Sequence, residues 1–157
     1  MENKEMLLNY FLVEVFNDVL KTEELCIALG GFCNLSLKEL HVIESVCREE
    51  DNRRDNSAAS IAKSLRVTPG TLTIAVSLLE NKGYLVRKRD DKDKRIVRIF
   101  PTELGRRADA YHATFHNEMV EDVLHALTDE EATIFIRALS RVSAFFSAKY
   151  SKQTEDS

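Results

Sequence analysis

The sequence predicts a mainly α protein with one small β-hairpin. Apolar residues recur at helical spacing over most of its length, two β-branched runs flank a polar turn, and only five Gly and two Pro interrupt 157 residues. That length is about one domain's worth, enough to bury a core without disulfides or metals. Apolar residues are 44% and charged residues 31% of the chain, which excludes the disordered, collagenous and disulfide-scaffold classes.

From Glu5 to about Leu29, the residues Leu8, Phe11, Leu12, Val15, Phe16, Val19 and Leu20 fall on the stripe of an amphipathic helix. Leu7, Tyr10 and Val13 lie off the stripe and widen it, which predicts a second packing partner. Gly30 and Gly31 end this helix. Ser36-Leu37-Lys38-Glu39 matches a capping box and opens a helix with Leu40, Val42, Ile43 and Val46. The segment Arg48 to Asn56 has no apolar residue and is expected to be a solvated loop.

Ser57 starts a short helix through Ile61, Ala62 and Leu65. After the bend at Arg66-Val67, Thr68-Pro69 supplies an N-cap and a proline at the first helical position. The next helix carries Leu72, Ala75, Val76 and Leu79 on one face and stops at Gly83. Tyr84 to Arg89 and Arg95 to Phe100 read as strands joined by the turn Asp90 to Lys94. Helix, turn, helix and hairpin make a winged helix-turn-helix.

Thr102 caps a long helix with Leu104, Ala108, Tyr111, Phe115, Met119 and Val123 along one side. Thr128-Asp129-Glu130-Glu131 is a second capping box, opening a helix expected to turn Ala132, Phe135, Ile136, Leu139, Val142 and Phe146 inward, with Ile134 and Phe145 off that stripe. Apolar excess at both ends of the chain predicts a homodimer interface there. The segments are therefore an N-terminal dimerisation helix over 1–35, the winged helix-turn-helix over 36–101, C-terminal dimerisation helices over 102–150 and a flexible tail over 151–157.

The net charge of -4 argues on its face against a nucleic-acid binder. By segment it does not. Ser57 to Arg107 holds 12 basic and five acidic residues, a net of +7, which leaves -11 for the rest. A solvated charged hairpin is the plain alternative, but the basic run coincides with a helix-turn-helix, the layout of a module whose middle alone touches phosphate. The N-terminal residues Glu2, Lys4 and Glu5 are unlike an export signal, and no run approaches the ~18 apolar residues of a membrane span, so a cytoplasmic protein with no membrane partner is expected.

Other constellations carry less. Cys26, Cys33 and Cys47 lack C-x-x-C spacing and are expected to be packed thiols, with Cys26 and Cys33 as the alternative of a peroxide sensor. His112 and His116 share a helix face at i, i+4 and could present two imidazoles to a metal, although such pairs on a polar helix are more often solvated. No nucleophile elbow, phosphate-binding glycine loop or H-E-x-x-H is present, so neither an enzyme nor a resident cofactor is expected.

Gly70-Thr71-Leu72-Thr73, Leu79, Lys82-Gly83-Tyr84, Asp93-Lys94-Arg95 and Pro101-Thr102-Glu103-Leu104-Gly105 together resemble the MarR family of bacterial winged-helix regulators. The resemblance implies a homodimer on a pseudo-palindromic duplex operator. Its recognition helices, Thr68 to Asn81, would enter successive major grooves, with Thr68, Gly70, Thr71, Thr73, Ile74 and Ser77 at the DNA. The wing tip, Lys92, Asp93, Lys94 and Arg95, would reach the minor groove, with Asp93 steadying Arg95. Where the family often has basic residues on the recognition helix, this chain has Ile74 and Leu78. The reading face, Gly70, Thr73, Ile74, Ser77, Leu78 and Asn81, carries no charge, which predicts A·T-rich half-sites.

The uncharged continuation of G-T-L-T and the Phe115-His116 element are similar to the Gram-positive repressors of fatty-acid biosynthesis. That subgroup implies long-chain acyl groups on acyl carrier protein as corepressor, for which Leu8, Leu12, Phe16, Phe115 and Met119 would supply an apolar lining. Ordinary core is the competing role for these residues. A redox- or metal-responsive regulator of the same family, and a winged helix that docks on an acidic protein, are the alternative functions.

Overall fold

The computed structural model describes residues 2–155, with side chains over 3–149. Its elements in chain order are α1 (Glu2–Leu29), α2 (Leu37–Asp51), α3 (Ala58–Leu65), α4 (Pro69–Asn81), β1 (Leu85–Arg89), β2 (Val97–Pro101), α5 (Glu103–His125) and α6 (Asp129–Glu155). The chain divides into two compact units, Met1–Phe115 and His116–Ser157, with the boundary inside α5. The predicted mainly α fold with one hairpin is the fold observed.

The first unit is built around α2. Its capping box is complete, with the Glu39 amide donating to Ser36 Oγ and the Ser36 amide donating to Glu39 Oε2 at 2.8 Å. Leu40, Ile43, Val46 and Cys47 then bury against Ile61 and Ala62 of α3, Leu72, Val76 and Leu79 of α4, and Leu85 and Ile99 of the hairpin. Ile27 near the end of α1 and Ala108 of α5 belong to the same core. The module expected at 36–101 thus takes its packing from both flanking helices.

The hairpin is antiparallel, pairing Leu85 with Pro101, Arg87 with Ile99 and Arg89 with Val97. Gly83, at φ 82°, makes the turn out of α4 that a side chain would oppose. Both strands start later than expected, because Tyr84 is a lead-in whose carbonyl accepts the Thr102 amide at 3.0 Å and Arg95 belongs to the turn, while β2 runs one residue further, to Pro101.

Several expectations are corrected. The segment Arg48 to Asn56 is not all loop: α2 runs to Asp51, Glu49 is buried, and Asn56 is stitched to β2 through its carbonyl and its amide side chain, both to Ile99. Polar composition hid a segment held by hydrogen bonds. On α5 the buried positions are Gly105, Ala108 and His112, while Tyr111 and Val123 are exposed. The stripe of α6, read as inward, is exposed in the protomer, as at Phe135, Ile136 and Phe146, and the α1 stripe is exposed as well, as at Leu8 and Phe16. The thiols differ among themselves: Cys47 is buried, Cys26 half-buried and Cys33 exposed. In the segment 151–157, expected to be a flexible tail, the backbone stays helical to Glu155, and residues 156 and 157 lie outside the described residues.

Candidate nucleic-acid interface

The helix α4 is set by its ends. Thr68 Oγ1 accepts the Thr71 amide at 3.2 Å and lies 2.9 Å from Thr71 Oγ1, and Pro69 fills the first helical position without needing a donor. At the other end Lys82 Nζ donates to both Glu39 carboxylate oxygens, at 2.7 and 2.9 Å, and to the Asn34 carbonyl. Burial pushes the Glu39 carboxyl up, but the hydrogen bonds from Lys82 and from the Ser36 cap outweigh it and hold Glu39 below its ordinary range. The start of α2 and the end of α4 are thereby locked together.

With Leu72, Val76 and Leu79 buried, the opposite face of α4 is presented to solvent. Ile74 is 66% and Leu78 48% exposed, and Gly70, Thr71, Thr73 and Asn81 are exposed beside them. An isoleucine that open is a poor solution for a solvated face and a good one for a groove carrying thymine methyls. The Thr73 and Ser77 hydroxyls donate back to Pro69 and Thr73 carbonyls, both at 2.9 Å, which leaves their oxygens as acceptors.

One of those acceptors is already used, by a residue that helix-wheel reasoning missed. Arg87, on β1, donates through Nη2 to Ser77 Oγ at 3.1 Å. Its Nε donates to Glu80 Oε2 at 2.8 Å, and its backbone amide to Glu80 Oε1 at 2.7 Å. The guanidinium of Arg87 depresses the Glu80 carboxyl below its ordinary range. The reading face is therefore uncharged in its own sequence but has a clamped cation at its edge. Only the hairpin register brings Arg87 there.

The wing tip is wired by its acidic residues. Asp90 Oδ1 accepts the amides of Lys92 at 2.8 Å and Asp93 at 3.0 Å, while Oδ2 accepts from Arg98 Nε. The Asp93 amide, then Arg98 and the Lys92 amide, hold the Asp90 carboxyl far below the usual range. Asp93 in turn accepts from the Arg95 amide, Nε and Nη2, and the Arg95 side chain first of all holds its carboxyl low. Lys94 stands 3.7 Å from Asp91, and Lys92 and Lys94 are exposed. Acidic residues that looked like a subtraction from the basic field are the scaffold that aims it.

A second basic element was not legible as such. Arg53 and Arg54, in the loop after α2, line a groove of about 720 Å³ with Arg95, Arg98 and the start of α3. Arg53 takes a left-handed conformation at φ 52°. Arg98 is bound to Asp55, Asn56 and Asp90, so the outward cations of this groove are Arg53, Arg54 and Arg95.

Residues 35–97 match the family model described as the MarR family. A Streptococcus pneumoniae FabT structure in complex with DNA is 32% identical over 92% of this chain and 98% of that one, with a TM-score of 0.83. The chain belongs to the MarR family. An S. aureus MepR–DNA complex is similar in fold at a TM-score of 0.71, with 17% identity over 88% of this chain and 95% of that one. Among curated proteins, YwhA of Bacillus subtilis, described as an uncharacterized HTH-type transcriptional regulator, is 28% identical over 83 residues. That match spans 53% of this chain and 60% of the relative's length. MarR-family proteins are DNA-binding transcriptional regulators rather than enzymes. Among the described residues, no helix is long and apolar enough to cross a membrane.

The remaining candidates separate. His112 is buried against Glu23 of α1 and near His41 of α2, and His116 is half-buried and falls in the second unit. Phe115 stacks on the His112 ring with centroids 6.4 Å apart. Leu8, Leu12 and Phe16 are exposed along α1, and Met119 is half-buried in the second unit. Burial, then the Asp109 carboxylate, pushes the Cys47 thiol up to about 12, so it is inert as a thiolate.

Proposed function

We propose that this MarR-family regulator is a homodimeric, sequence-specific repressor that reads an A·T-rich, pseudo-palindromic duplex operator. The observation that carries the reading is the pairing of an open, apolar Ile74 and Leu78 on α4 with an arginine held out from the wing tip. Thr68, Gly70, Thr71, Thr73, Ile74 and Ser77 face the major groove, where apolar and hydroxyl side chains suit thymine methyls. Lys92, Lys94 and Arg95 supply phosphate and minor-groove contact, and Asp93 positions Arg95.

The exposed apolar faces of α1 and α6 support the dimer, since Phe11, Phe16, Ile134, Phe135 and Phe145 are a large surface to leave in water. The finer reading is control of fatty-acid biosynthesis genes with long-chain acyl groups on acyl carrier protein as corepressor. It is supported by the sequence resemblance to that subgroup and by the 32% identity to FabT. Leu8, Leu12, Phe16, Phe115 and Met119 are the lining proposed for the chain.

Selection from random duplexes tests the DNA reading. The enriched sites should be inverted repeats with A·T pairs where Ile74 and Leu78 lie; G·C-rich half-sites, or no enrichment, would overturn it. Operator affinity measured with long-chain acyl-acyl carrier protein against the unacylated carrier tests the corepressor, and equal affinities would remove it.

A further inference from the structure

The loop between α2 and α3 carries two arginines that neither the reading face nor the wing tip uses. Arg53 and Arg54 are exposed and line the groove of about 720 Å³ together with the start of α3 and residues Arg95 to Arg98 of the wing. Glu50, Asp51 and Asp55 flank them in sequence, so local ion pairs would be the simplest use for their charge. Each of those carboxylates is engaged elsewhere. Arg106 of α5 pairs with Glu50 and donates to Asp51 at 3.0 Å. Asp55 Oδ1 accepts from the Ser57 amide at 3.0 Å and from Arg98 Nη1 at 3.3 Å. Among the described residues, neither Arg53 nor Arg54 forms an ion pair.

The loop is also tied down. The Arg53 and Arg54 amides donate to the Glu50 and Glu49 carbonyls at 2.9 and 2.8 Å, and Asn52 Nδ2 donates to the Arg48 carbonyl at 2.8 Å. Just beyond, Asn56 is bonded to Ile99 of β2 through both its carbonyl and its side-chain amide. The two arginines are therefore fixed relative to the hairpin that carries Arg95.

We propose that Arg53 and Arg54 hold the sugar–phosphate backbone bordering the minor groove that Arg95 enters, so that loop and wing close on the same stretch of duplex. This rests on the DNA reading above and extends its contact surface to a loop outside the helix-turn-helix and the wing tip. Phosphate is the chemistry that fits: guanidinium forks match its oxygens, and the positive end of α3 adds the same sign to the groove. A solvated charged loop explains the exposure of the two side chains. It does not explain why the neighbouring acids are drawn off by Arg98 and Arg106, nor why an arginine stands at φ 52°, where glycine or asparagine is less strained.

Backbone contacts supply affinity without sequence information, which sets the test. Full-length wild type and the Arg53→Gln/Arg54→Gln variant are titrated by anisotropy against the selected operator and a scrambled duplex, from about 50 to 200 mM salt. Two arginines on each protomer of the dimer make up to four phosphate contacts, so the log–log salt slope of the variant should be shallower by about 3 to 4. Affinity should fall roughly tenfold or more, by a similar factor on both duplexes, with the preference for the operator kept. Neutral methylphosphonates placed singly along the operator locate the contact: a few positions in each half-site should weaken the wild type and leave the variant unaffected.

Arg53→Gly separates phosphate contact from loop structure. Glycine relieves the left-handed backbone, so the melting temperature should hold or rise while affinity falls. Arg53→Lys, which keeps the charge, should bind close to wild type. An unchanged salt slope in the double variant, a loss confined to the operator, or methylphosphonate sensitivity that survives the substitutions would overturn the backbone contact and leave the DNA reading intact. Absence of duplex binding by the wild type would overturn both.

Discussion

Asp93 holds Arg95 by three hydrogen bonds, from the backbone amide at 3.0 Å, Nε at 3.1 Å and Nη2 at 3.2 Å, while the Arg95 side chain remains 92% exposed. The pair is an aimed cation with almost no packing of its own. Arg95→Ala should weaken operator binding by about 10- to 100-fold, since losing a groove contact costs about 1–3 kcal/mol. Its thermal midpoint should stay within a degree or two. Asp93→Asn should weaken binding less, by disordering an arginine that is still present. Mobility-shift titrations of both variants check this, and undiminished binding by Arg95→Ala would remove the wing from the interface.

The Glu80–Arg87 clamp makes an opposite prediction. Glu80 neutralises a guanidinium that stands beside Ser77 on the reading face. Glu80→Gln removes one negative charge and releases the cation, so binding to random duplex should tighten several-fold and the preference for the operator should narrow. Anisotropy with specific and scrambled duplexes separates the two effects; unchanged non-specific affinity would show that Arg87 lies away from DNA.

How much of this was legible in sequence differs by level. Caps and periodicity located every element, because Ser36, Ser57, Thr68, Thr102 and Thr128 each act within a few residues of where they stand. The interface residues proposed on α4 and the wing tip follow instead from the resemblance to the MarR family, which caps and spacing alone do not supply. Arg87 and Arg53 could not be read from either, since their positions depend on strand register and on a left-handed turn, neither of which has a periodic signature. The contacts of His112 with Glu23 and His41 come from residues far away in the chain, which helical spacing does not reveal. Polar residues 52–56 looked solvated, although Asn56 serves as a backbone partner of β2.

Gly105 tests the seam between the hairpin and α5. A methyl group there would run into the Tyr84 carbonyl, a backbone atom already fixed by the Thr102 amide and hydroxyl. Gly105→Ala should destabilise by about 1–3 kcal/mol through overpacking. That corresponds to a drop of roughly 2–12 °C in melting temperature by calorimetry, against which an unchanged midpoint would count.

The wing should also report pH with a fixed sign. Asp90 and Asp93 have folded-state carboxyls held below their unfolded value of about 3.9. Their contribution is complete above that value and is lost as pH falls through the lower, folded ones. Amide resonances of residues 90–96 should therefore be steady from about pH 7 to pH 5 and broaden only below about pH 4. Asp90→Asn should loosen the same residues at neutral pH. Broadening of the wild-type wing between about pH 7 and pH 5 would contradict the wiring described.

The central claim is that an acidic protein binds duplex DNA specifically through its basic middle. Anisotropy titrations of the wild type against its selected operator and a scrambled duplex, from about 50 to 200 mM salt, test it directly. Affinity should fall linearly on a log–log plot with a slope reporting several phosphates, while the operator stays preferred by about a thousandfold or more. Equal affinity for both duplexes, or affinity indifferent to salt, would contradict the account.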